Sequence, residues 1–160
     1  MRHLITPLVV AFLLHMTWDS HGVISDQETL QRVLVLAGLD RANLPITLAK
    51  AAPASASIGV EAWMAYDDEC GTRIFVYTGS DMFRCASPPL AMRQCLLRLA
   101  SSVVHEAWHL DHGPNEEEAY EVQIDFLLRN GAATEHVKAV RLAQSRVLAA
   151  ERLRQSELLR

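Results

Sequence analysis

The feature that most limits what this chain can fold into is the run from Leu90 to His112, bounded upstream by Pro88-Pro89 and downstream by Gly113-Pro114. Leu96, Leu99, Val103 and their apolar neighbours recur at the three- and four-residue steps of an α-helix, which predicts a long helix with a wide buried face. The prolines punctuate its start, and the Gly-Pro pair stops it. A helix of that length and apolarity cannot stand alone in water, so the remaining segments have to cover it.

Those segments are readable in outline. Ser25 followed by Glu28 is a capping-box pattern, and Leu30, Val33, Leu34 and Ala37 then predict a helix over 26–37, closed by Gly38. Ile46 to Ala49 reads as a short strand, and the Ala/Ser-rich stretch from Lys50 to Ser57 as a loop. Val60 to Tyr66 and Arg73 to Thr78 are rich in β-branched and aromatic residues. They are separated by Asp67-Asp68-Glu69-Cys70-Gly71, a hairpin signature with Gly71 placed for a positive φ. Downstream, Asn115 is a good N-cap, and Glu116, Glu117 and Glu118 favour the positive end of a helix running to Asn130-Gly131. Thr134 is expected to cap a last helix running towards Arg160. The fold class expected is α+β, predominantly helical, with about four helices and a small antiparallel sheet.

A chain of 160 residues, half of them apolar, has enough for one hydrophobic core, so a single domain over 23–160 is expected. A net charge of -4 argues against a surface that neutralises nucleic-acid phosphates. The first 22 residues stand apart: Met1-Arg2-His3 precedes an apolar run from Leu4 to Leu14, with no acidic residue before Asp19. That pattern is similar to a secretory signal and would send the protein to the periplasm or outside the cell. The run is too short for a membrane-spanning helix, it lacks a small-x-small cleavage pattern, and an apolar segment packed on the core is the competing reading. Cys70, Cys85 and Cys95 show no zinc-ribbon spacing. Cys70 with Cys85, Cys85 with Cys95, and three free thiols all remain open.

The chemistry-bearing motif lies inside the long helix. His105-Glu106-Ala107-Trp108-His109 is HExxH, and positions i and i+4 share a helical face, so two imidazoles can reach one tetrahedral metal ion with a carboxylate beside them. A catalytic zinc takes three protein ligands, and an acidic segment opening the next helix can supply the third. His112 is seven residues from His105, about 10 Å along the axis, too far to share that metal. It is expected to serve the helix C-terminus or to support a ligand. Asp111 is expected to face solvent and Trp108 to pack.

With Glu116-Glu117-Glu118-Ala119 read as ExxA, the segment resembles the gluzincin metallopeptidases, whose first two zinc ligands are the HExxH histidines and whose third comes from a following helix. The resemblance covers little more than residues 90–128, and Tyr120 stands where many members have Asp. Only six residues separate His109 from Glu116, shorter than in most of that clan. Glu116 is the first choice for third ligand, then Glu117, then Glu118. The resemblance implies a minimal zincin-like domain with an HExxH active-site helix, binding one Zn²⁺ through His105, His109 and Glu116 and acting on a peptide or protein substrate. Glu106 would be the general base, with Tyr120 a candidate to stabilise the oxyanion. The substrate would add to a strand edge, for which Arg73 to Thr78 is the candidate. Peptide deformylase also joins HExxH to an upstream cysteine, but its Gly-rich and Glu-Gly-Cys-Leu-Ser patterns are absent. Two non-enzymatic readings compete: a metallopeptidase-like domain that binds zinc or a peptide without turnover, and a helical interaction protein in which HExxH is accidental.

Overall fold

The computed structural model describes residues 25–54, 59–67 and 71–158. The signal-like segment, Cys70 and part of the hairpin loop lie outside that range.

Helix α1 occupies residues 25–37 and ends where Gly38, at φ 72°, lets the backbone turn back so that the Leu39 N–H reaches the Leu34 carbonyl at 2.9 Å. Strand β1 (Ile46–Ala49), strand β2 (Ala62–Asp67) and strand β3 (Gly71–Tyr77) form one sheet in the order β1-β3-β2. The hairpin expected from the sequence joins β2 to β3, and Gly71 takes φ 75° at its turn. The antiparallel sheet expected is corrected to a mixed one, because β1 pairs with β3 in parallel, Ile46 opposite Ile74. A second correction follows from the same order. The strand built on Arg73 to Thr78 is central and has both edges paired, so it cannot accept an added strand; β2 carries the outer edge instead.

Helix α2 (Asp81–Ala86) is an element the sequence reading missed. Its signal was present in Ser80, whose hydroxyl accepts from the Phe83 N–H at 3.0 Å, and in Asp81 in the first turn. Six residues are too few for a clear apolar period, yet α2 buries Phe83 and Ala86. A Cys85–Cys95 disulfide ties it to the next helix. Helix α3 (Arg93–His112) is the expected long helix. Leu97, Leu99, Ala100 and Val103 on it are fully buried, against Val33, Val76, Phe83, Leu127 and Val140.

Helix α4 (Glu116–Arg129) begins at Asn115, whose side chain accepts from the Glu118 N–H as its N-cap role requires. Helix α5 (Thr134–Leu158) lies beside it. Thr134 opens α5 rather than capping it, since the first carbonyl to receive helical N–H groups belongs to Ala133. The protein is therefore mixed α+β, with five helices and one three-stranded sheet among the described residues. Among the described residues no helix is long and apolar enough to cross a membrane.

Leu97 has no exposed surface and lies at the centre of this packing. Leu97→Ala is expected to destabilise the fold by about 2–5 kcal/mol, measured as a lowered midpoint in urea with unchanged slope.

Candidate metal centre

Four side chains of α3 at successive steps of three or four residues, Arg98, Ser102, His105 and His109, line one side of the helix. The last two bring their imidazoles together: Nε2 of His105 and Nε2 of His109 are 3.2 Å apart, and both residues are buried. The chain then leaves α3 through Gly113 at φ 86° and re-enters helix at Glu116, which returns one carboxylate to the pair. Its oxygens lie 3.4 Å from Nε2 of His105 and 3.7 Å from Nε2 of His109. A tetrahedral ion with N and O ligands at about 2.0–2.1 Å requires neighbouring ligand atoms about 3.3–3.4 Å apart. His105, His109 and Glu116 are thus close enough to hold one metal ion. Glu117 and Glu118, the other acidic candidates, are exposed to solvent.

The proton positions agree with that use. Nδ1 of His109 lies 2.7 Å from the Gly113 carbonyl, and a carbonyl can only accept, so Nδ1 carries the proton and Nε2 presents a lone pair. The turn that shortens the link between α3 and α4 therefore also fixes the tautomer of a candidate ligand. Nδ1 of His105 is sealed from solvent without a partner among the described residues. Hydrogen bonding from His105, ahead of the cost of burial, holds the Glu116 carboxyl below its ordinary range.

Glu106 lies beside the three ligand candidates. Burial pushes its carboxyl above the ordinary range, opposed by the two imidazoles and by the backbone N–H of Met64, and assisted by Glu116. Tyr120 packs its ring edge-on to His105, with centroids 4.6 Å apart, and burial raises its phenol, followed by the charges of Glu116 and Glu106. His112 is remote from the cluster in role. It stacks on Trp108 at 4.6 Å and its Nδ1 meets the Trp108 carbonyl near the helix end, while Asp111 faces solvent. Both placements match the sequence expectation.

The cluster opens into a cleft of about 790 Å³ between β2 on one side and α5 on the other. The β2 edge was missed in the sequence because strand order is a tertiary property. Its orientation follows from register. Glu61 faces Tyr77 as a hydrogen-bonded pair, so alternate residues Trp63 and Ala65 bond to β3, and the peptide groups of Ala62, Met64 and Tyr66 point outward.

Comparison with known protein families, curated proteins and solved structures finds no match for this chain. The site consequently stands on its own geometry. Wild-type protein titrated with zinc by calorimetry is expected to bind one ion per chain. Glu116→Ala should weaken binding by at least about ten-fold, while Glu117→Ala and Glu118→Ala stay within about three-fold.

Proposed function

We propose that this protein is a zinc-dependent metallopeptidase of the gluzincin type, with His105, His109 and Glu116 holding one Zn²⁺ and Glu106 acting as general base. The observation that carries the reading is the triangle of two imidazole nitrogens and a carboxylate, with edges of 3.2 to 3.7 Å, beside a second, partly buried carboxylate, Glu106, in an open cleft. Two neutral nitrogen donors and one carboxylate suit zinc better than calcium or magnesium, which prefer all-oxygen sets. When bound, zinc supplies Lewis acidity, lowering the pKa of water and polarising a carbonyl oxygen.

The chain's own groups account for the remaining requirements of peptide hydrolysis. Glu106 takes a proton from the attacking water and passes it to the departing amine, and a carboxyl raised by burial suits that exchange near neutrality. Apart from the Met64 N–H, which Glu106 takes, the outer edge of β2 offers peptide N–H and C=O groups to an extended substrate, which would add as a further strand. The Tyr120 phenol, on the wall of the same cleft beside His105, is assigned the donor role towards the developing oxyanion. An oxidising compartment suits the Cys85–Cys95 disulfide, in keeping with export through the signal-like segment over 1–22.

The test compares zinc-loaded wild type with Glu106→Gln on a diverse peptide pool read by mass spectrometry. Glu106→Gln is expected to retain stoichiometric zinc and lose about 10²- to 10⁴-fold in cleavage rate. Tyr120→Phe should lose about 10- to 100-fold in kcat with little change in KM. A zinc-loaded wild type as inert as Glu106→Gln would instead define a zinc- or peptide-binding domain.

A further inference from the structure

Beyond the metal ligands, the cleft contains a second polar cluster. Glu61, immediately before β2, is buried, and its two carboxylate oxygens accept from Nε of Arg98 at 2.9 and 3.0 Å and from the Ser102 hydroxyl. Nη1 of Arg98 also reaches the His136 carbonyl at 3.4 Å, so one guanidinium links β2, α3 and α5. The carboxylate is fully used. The guanidinium is not: Nη2 donates to no group among the described residues, is absent from the sealed polar atoms, and belongs to a side chain lining the cleft with 16% of its surface exposed.

We propose that Arg98, immobilised by Glu61 and Ser102, is a substrate-recognition site for a carboxylate on the C-terminal side of the scissile bond. This rests on the metallopeptidase reading above. The outer edge of β2 runs from Ala62 to Asp67, so a peptide added in the antiparallel sense places its C-terminal end at Ala62, next to Glu61 and Arg98. Arg98 precedes His105 by seven residues, about 10 Å along α3, which is the span of roughly three extended peptide residues. Nη2 keeps two N–H donors without a partner among the described residues, a fixed cationic donor suited to a carboxylate oxygen. Charge favours the same ligand. Three carboxylates, Glu61, Glu106 and Glu116, and two guanidiniums, Arg98 and Arg146, line the cleft, so a divalent ion turns its balance from negative to positive. Tyr120 lines the same cleft, near enough to both centres for its phenol to feel the charges of Glu116, Glu106 and Arg98.

The carboxylate can be the chain terminus or an acidic side chain, and metal-anchored probes distinguish them. Mercaptoacetyl-Ala-Ala is compared as free acid and carboxamide, and mercaptoacetyl-Glu-Ala-carboxamide with its Gln counterpart, by calorimetry on zinc-loaded full-length protein. In one arm the carboxylate probe is expected to bind about ten-fold or more tightly than its neutral partner. Arg98→Lys keeps a charge opposite Glu61 but removes the fork, and the double change Glu61→Gln with Arg98→Gln leaves no unpaired charge. Both should reduce the preference to within about two-fold while neutral-probe affinity stays within about three-fold. Arg141→Gln, an exposed change outside the cleft, should keep the preference. Equal binding in both arms, survival of the preference in the Arg98 variants, or its loss in Arg141→Gln would overturn the proposal. A zinc-loaded chain indifferent to carboxylate overturns this proposal alone, whereas a chain that retains no zinc overturns the metal reading and this one with it.

Discussion

The burial of α3 is the constraint on which the rest depends. Leu97, Leu99, Ala100 and Val103 have no exposed surface, and covering them requires the sheet, α1, α2, α4 and α5 together. The same helix carries the polar row of Arg98, Ser102, His105 and His109. Because one rigid element bears both sets, the packing that excludes water from the apolar face also fixes the height and rotation of the imidazoles. A side chain on a helix so firmly held is more accurately aimed than one on a loop.

The short link after α3 converts that aim into a constellation. Gly113 at a positive φ and the Asn115 cap return the chain quickly enough for Glu116, at the first position of α4, to face both histidines. The Gly113 carbonyl simultaneously holds the proton on Nδ1 of His109. A longer link would free both geometry and tautomer. Compactness here is a means of preorganisation, since the ligand atoms already stand near the spacing a tetrahedral ion needs.

The Glu61–Arg98 pair shows the opposite economy. Burying two charges costs several kcal/mol per ion, recovered only with good geometry and further hydrogen bonds. This pair has them, from Ser102 and the His136 carbonyl. An apolar pair could staple β2 to α3 at lower cost, so an ionic one in the wall of a cleft calls for a use, and the Nη2 donors left free among the described residues suggest one.

Much of the candidate centre was legible without coordinates because it is local. HExxH on a periodic helix puts His105 and His109 on one face by helical geometry alone, and the capping residue Asn115 sets where α4 starts. Among Glu116, Glu117 and Glu118 the sequence offered only an order of preference, and it is the packing of α4 on α3 that brings Glu116 to the pair. The hairpin and its Gly71 turn were legible for the same reason: turn chemistry acts over a few residues. Strand order was not, since no local pattern decides that β1 and β2 flank β3 on its two edges or that β1 pairs in parallel. Helix α2 was too short to show a period. The Glu61–Arg98–Ser102 cluster was invisible because Glu61 is 37 residues from Arg98 in the chain and meets it only when β2 packs on α3. Sequence by itself set His105 and His109 one helical turn apart on a shared face, with an acidic segment opening the next helix. Tertiary structure alone decided which strand edge faces them and which charges share their cleft, because those depend on how separate elements bury their apolar faces against one another.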